Sequence, residues 1–212
     1  MIRLGFKKAG FLRVAIVVVA VVLMCVLGAE AQNLKINEQP LRDFAKTVQS
    51  QINSKQLDIK KPFSLEMAAV ITDDGRLDKN ASRFTSQTGD PKMVQTAKDA
   101  VMALGETGYF GYLKQLGIDR ARMTVNQTSE AFSANVFGEQ NSFRAHMTAS
   151  AINMFIPVAA GREDAPPEEK LVLQNTRASA TDGGVNINCT LPAADFQRMI
   201  LGSKTATAGP VQ

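Results

Sequence analysis

Tryptophan is absent from this chain, histidine occurs once, at His146, and cysteine twice, at Cys25 and Cys189. Those scarcities remove most catalytic chemistry. A lone histidine cannot serve with others in a zinc site, and a working histidine needs an oriented partner that no spacing here supplies. His146 therefore reads as an ordinary helical residue, and no Ser-His-Asp or Cys-His arrangement can be argued. Glycine-rich phosphate loops, paired Cys-x-x-Cys spacings and G-x-S-x-G are also missing. The sequence is read as non-enzymatic, with no catalytic residues, no cofactor and no metal.

Charge of one sign is scarce once the first 31 residues are set aside. The whole chain carries +4, but Arg3, Lys7, Lys8 and Arg13 lie in that stretch against one acidic residue, Glu30. The remainder is close to neutral, so a basic nucleic-acid surface is not indicated.

Those 31 residues hold the one long hydrophobic run. After the basic flank, Val14 to Leu27 contains no charged or strongly polar side chain. Gly28-Ala29-Glu30-Ala31 follows, and Gln32 opens polar sequence. This is the pattern of a signal peptide cleaved after an Ala-x-Ala site formed by Ala29 and Ala31, with Gln32 as the new N-terminus. Retention as a signal anchor is the alternative, although the run is short of the roughly 20 residues that span a bilayer. Cys25 follows Met24, where a lipidation motif needs a small residue. Either main reading exports the bulk of the chain, to the periplasm or to the periplasmic side of the inner membrane. Removal of the leader also leaves Cys189 with no disulfide partner.

The rest alternates strand-like and helix-like segments. A helix over Pro40 to Asn53 carries Leu41, Phe44, Ala45, Val48 and Ile52 on one face. Phe63 to Ile71 alternates as a strand, Asp74-Gly75 supplies a hairpin turn, and Leu77 to Thr85 is predicted as the return strand. Adjacent Asp73 and Asp74 are thus turn residues rather than an acid–base pair. Asp90 and Pro91 cap and open a helix with an apolar stripe from Met93 to Leu104, and Gly105 is predicted to stop it. A short helix is expected between Tyr109 and Leu116.

The pattern then recurs. Arg120 to Thr128 and Ala131 to Gly138 read as a second hairpin. Asn141 or Ser142 caps a helix whose apolar face is predicted to be Phe143, Met147, Ala151 and Met154, with Pro157 ending or kinking it. Glu163, Asp164, Glu168 and Glu169 lie in a Pro-containing polar stretch that reads as a solvated loop. A third hairpin runs from Thr176 to Leu191 through Asp182-Gly183-Gly184 and places Cys189 on a buried face. A final helix carries Phe196, Met199 and Ile200.

The expectation is an α+β fold: an antiparallel sheet built from three hairpin-then-helix units, with helices on one face, after an N-terminal hydrophobic segment. Its parts are a signal peptide or signal anchor at 1–31, a first α+β unit at 36–117, a second at 118–201 that could belong to the same domain, and a disordered tail at 202–212. Tyr109, Phe110 and Tyr112, spaced by Gly108 and Gly111, are candidates for an exposed protein-contact surface, against core packing as the usual fate of such aromatics. Asn80, Asn126 and Asn188 stand in Asn-x-Ser/Thr sequons, which matter only in a eukaryotic secretory pathway.

Within this frame Ile71-Thr72-Asp73-Asp74-Gly75-Arg76-Leu77, then Ser86, Gly89 and a helix from Met93 to Val101 with Ala97 and Ala100, form a sequence of strand, Asp-Gly turn, strand, small-residue turn and Ala-rich helix. Residues 67–101 resemble the C-terminal domain of TonB and TolA-like envelope proteins. The resemblance implies a protein-binding domain on the periplasmic side, with other envelope proteins as partners, the inner membrane as a further partner if the leader is retained, and no nucleic acid. The alternative is a periplasmic small-ligand or lipid-binding protein, in which the Met and Phe residues line an adaptable apolar pocket.

Overall fold

The computed structural model of the protein describes residues 34–201. The expected leader, the expected cleavage site at Ala29, Ala31 and Gln32, and the expected tail at 202–212 lie outside these residues. Among the described residues no helix is long and apolar enough to cross a membrane.

The elements are α1 (Gln39–Asn53), β1 (Phe63–Val70), β2 (Arg83–Gly89), α2 (Pro91–Gly105), α3 (Gly111–Gln115), β3 (Arg120–Gln127), β4 (Ala131–Glu139), α4 (Ser142–Ala160), α5 (Pro167–Gln174), β5 (Thr176–Thr181), β6 (Gly184–Pro192) and α6 (Ala193–Leu201). The six strands form one antiparallel sheet in the order β2-β1-β3-β4-β6-β5. The α+β fold is thus as expected. The pairing of β1 with β3 joins the first and second units in a single sheet.

Strand alternation decides which face is covered. Phe63, Leu65, Met67 and Ala69 of β1 are buried, as are Phe132, Ala134 and Val136 of β4 and Val185, Ile187, Cys189 and Leu191 of β6. Register stacks these into rows: Phe84, Met67, Met123, Val136, Ile187 and Ala178 sit side by side across all six strands. The helices dock on this face. Lys98 of α2 lies over the Phe84 ring, Phe196 of α6 stacks on Phe132 at 3.8 Å between centroids, and the carbonyl of Val172 in α5 receives the Cys189 thiol. The opposite face carries rows such as Ser86, Glu66, Thr124, Asn135, Asn188 and Arg177. A sheet with one apolar and one polar side is stable with a single helical layer.

Two local expectations are corrected. The return strand of the first hairpin begins at Arg83, not Leu77; only an isolated bridge joins Ile71 to Leu77. Asp78 breaks the intervening run, its carboxylate accepting from the N–H groups of Asn80 and Ala81. α2 ends at Gly105, as expected, and the missing side chain there makes room for Leu77, whose Cδ1 would lie 2.6 Å from a Cβ. The second correction is α4, which presents the opposite face to that expected. Ala145, Thr148, Ala149, Ile152 and Ile156 are buried, while Phe143, Met147 and Met154 are 76%, 60% and 78% exposed. The helix is apolar on both sides, so periodicity alone could not choose between them. It also continues through Pro157 to Ala160.

Candidate docking surfaces

An antiparallel sheet that does not close has two free edges, each a row of unpaired N–H and C=O groups. Here the two edges differ. At β5 the side chain of Asn153, projecting from α4, occupies the place of a further strand. Its Nδ2 donates to the Ala178 carbonyl at 2.7 Å and its Oδ1 accepts from the Ala178 N–H at 2.9 Å. One primary amide thus satisfies both groups of an outward-facing residue.

At β2 no described residue supplies such a cover. The strand reads Arg-Phe-Thr-Ser-Gln-Thr-Gly, and Thr85, Ser86, Gln87, Thr88 and Gly89 are exposed. From Phe84 to Gly89 it contains no charged residue and no proline, the usual devices that blunt an edge. A register shift between Glu66 and Met67 of β1 places one bulge along the pair, and Thr85 donates to Glu66 at 2.8 Å across it. The edge is seven residues long and chemically adaptable, with hydroxyl and amide side chains on either side of its backbone.

The local fold holds β2 rigidly from both ends. Gly89 adopts φ +100°, with Pro62 and Phe63 so close that a Cβ would sit 2.4 Å from the Pro62 carbonyl oxygen. Asp90 then caps α2, accepting from Lys92 and Met93 N–H, with Pro91 in the first turn. At the other end Ser82 bonds the Val70 N–H at 2.9 Å. The Asp73-Asp74-Gly75 tip is fastened elsewhere: Lys114 reaches Asp73 at 3.0 Å and Asp119 at 2.7 Å. The Thr72 hydroxyl bonds Asp74 and holds its carboxyl below the usual range. Both aspartates are structural in this turn.

The aromatic candidates take a different place from the one expected of a contact surface. Tyr109 is 3% and Phe110 1% exposed, in the core, and Tyr112 is half-buried and stacks on Tyr109 at 6.3 Å. The cause is backbone geometry. Gly108 at φ +87° and the close approach of Gly75 to Gly111 turn this segment inward against the hairpin tip. Tyr109 donates to Glu38 at 3.2 Å, and burial together with that carboxylate pushes its hydroxyl strongly upward. Tyr109 and Phe110 therefore offer no surface to a partner. His146 is exposed on α4. Cys189 is fully buried, and burial raises its thiol above the ordinary value. Glu169 of the acidic stretch pairs with Arg162. Among the described residues no cluster of three or more His, Cys, Asp or Glu could hold a metal ion.

Between sheet and helices the buried side chains form a single cluster. A cleft of about 290 Å³ lies elsewhere, lined by Asn37, Pro40, Arg76, Lys79, Gly105 and Glu106. Lys79 and Glu106, both on its wall, pair at 2.6 Å. Sequence reasoning missed both the β2 edge and the Asn153 cap; the first carries no alternation, and the second joins residues 25 apart.

Comparison with known protein families, curated proteins and solved structures returns no match to this chain.

Proposed function

We propose that this protein is a non-enzymatic cell-envelope protein, held on the periplasmic side of the inner membrane or released there, whose α+β domain binds an extended segment of another envelope protein along β2. The observation that carries the reading is the contrast between the two sheet edges: β5 is capped by Asn153 while β2 is long, uncharged through its middle and left uncovered by the described residues. An extended peptide added to β2 gains main-chain hydrogen bonds along its length, and alternate side chains supply selectivity. The leader-like N-terminus and the TonB-like run of turn and cap signals at 67–101 support the compartment. The continuous cluster of buried side chains between sheet and helices favours this reading over an apolar-pocket protein.

The test is photo-cross-linking in intact cells, with a reactive residue placed at Thr85 or Gln87 on β2 and, separately, at Ser179 on β5. A discrete adduct from the β2 positions, absent from β5, is the expected result. Equal labelling at both edges, or no adduct at β2, overturns the proposal.

A further inference from the structure

The solvent side of α4 carries Phe143, Met147, Met154 and Val158, each at least 60% exposed. Their spacing keeps them in one stripe along the helix, and Ser150 and Ala151, both exposed, fill its middle. A helix normally turns such a stripe inward. Here the opposite face already packs on β5, β6 and α5, so the stripe is a second apolar face with no counterpart among the described residues.

The order of residues in the stripe suits one occupant. Read from either end, it is the same series: a large residue, methionine four positions in, a small pair, methionine, and a large residue four positions further. Phe143 and Val158, Met147 and Met154, Ser150 and Ala151 are symmetric about one point. A two-fold interface demands this property, because residue i must meet j while j meets i. We infer that α4 pairs antiparallel with α4 of a second copy of this chain. Phe143 then packs against the partner's Val158 and Met147 against the partner's Met154. The small Ser150–Ala151 pair lies at the two-fold axis, where it allows close helix approach.

Charge selects the same arrangement. The only Lys or Arg in α4 is Arg144, and the helix contains no Asp or Glu. A parallel pair would set two Arg144 side chains together, whereas the antiparallel pair parts them by about 20 Å and opposes the helix dipoles. A membrane surface is a poorer fit, because the segment leaving α4 carries Glu163, Asp164, Glu168 and Glu169 against Arg162 and Lys170, and anionic headgroups would repel it. The four side chains expose on the order of 500 Å². A symmetric pair then buries roughly 1,000 Å², at the lower limit for a specific interface, which makes the association concentration-dependent. This surface lies at the β5 end of the sheet and is independent of the β2 reading.

The test is cysteine cross-linking of the full chain in whole cells, in a Cys25→Ser background, with two differently tagged copies. Ser150→Cys should give a covalent dimer with itself. Phe143→Cys should not react with itself, being about 22 Å from its symmetry mate along the axis, but should join a copy carrying Val158→Cys. Met147→Glu should abolish the Ser150→Cys dimer, and adding Met154→Lys to the same chain should restore it, since each new acid then faces a new base. The substituted positions are exposed, so folding is not at risk. Self-reaction at Phe143→Cys equal to that at Ser150→Cys, absence of a Ser150→Cys dimer, or protection of the stripe by lipid alone each overturns the inference.

Discussion

The side-chain amide of Asn153 brackets the peptide groups of Ala178, giving a hydrogen bond to its carbonyl at 2.7 Å and taking one from its N–H at 2.9 Å. A helix on the covered face thereby reaches over the sheet margin and closes one of two edges that would otherwise be equivalent. No described residue plays the same part at β2, where Thr85 to Gly89 are exposed.

Replacing Asn153 by Ala should release both groups of Ala178. A net loss of about 1–2 kcal/mol is expected, the worth of two bonds partly recovered by water. Urea unfolding reads that loss, and native-state hydrogen exchange should show the Ala178 amide quickening far more than those of β1. Asn153→Gln should not rescue it, because its amide sits one methylene further out. An unchanged Ala178 exchange rate would show that the bracket does not protect the edge.

The hairpin tip permits a paired comparison of glycines. Gly75 stands at φ +76°, and a Cβ there would lie 2.4 Å from the Gly111 nitrogen and 2.6 Å from the Gly108 carbonyl oxygen, both backbone atoms. Gly75→Ala should therefore cost more than about 2 kcal/mol, from strain and from displacement of the α2–α3 connection. Gly183, in the β5–β6 turn, has only the Phe137 ring near its missing side chain, at 3.8 Å. Gly183→Ala should stay within about 0.5 kcal/mol of the parent. Thermal melts of the two variants check the contrast.

How much of this was readable beforehand depends on the element. Asp90-Pro91, Asp74-Gly75 and the alternation of β1, β4 and β6 are local signals, and each places its element correctly because the local preference and the tertiary demand agree. The fold class followed from them. β2 was misplaced because its Thr-Ser-Gln-Thr run has no buried side to alternate with. The α4 face was inverted because Phe143, Met147 and Met154 are larger and more apolar than Ala145, Thr148 and Ala149, yet only the smaller set fits close against β5 and β6. Tyr109 and Phe110 turn inward on the conformation of Gly108 and the close approach of Gly75 to Gly111, which spacing alone does not reveal. The β2 edge and the Asn153 bracket depend on where strands fall in the sheet, which no local pattern encodes.

Gln127 should prove the main tie for the segment between α1 and β1. It is 1% exposed, and its Nε2 donates to the Ile59 carbonyl at 2.5 Å and more weakly to that of Lys61 at 3.4 Å. Gln127→Leu keeps the volume but leaves the Ile59 carbonyl without this donor, at a cost of about 1–3 kcal/mol. Lys60 and Lys61 are exposed beside it, so trypsin should cut there much faster in the variant than in the parent. Equal cutting rates would mean that Leu57 and Ile59 hold the segment by apolar contact alone.

Alkaline pH should weaken the fold through three groups raised by burial, and the Lys114 ammonium, raised by its bonds to Asp119 and Asp73, adds in the same direction. Burial raises Cys189 above its ordinary 9.0, and burial raises Tyr112 above 10.0; burial with Glu38 raises Tyr109 furthest. Below the ordinary values both folded and unfolded chains keep these protons, so stability does not respond to pH through them. As pH passes 9.0 and then 10.0, the unfolded chain releases protons that the folded chain retains. The unfolded state then binds fewer protons, and stability falls by up to about 1.4 kcal/mol per pH unit for each of these three until its folded value is reached. Urea midpoints measured from about pH 8 to 11 should be level at first and then decline. Tyr109→Phe removes the group with the largest rise and should make the decline shallower, even though it loses the bond to Glu38. A decline of the same slope in that variant would assign the alkaline sensitivity to other groups, and a level curve in the parent would mean that Tyr109 ionises in place without resisting.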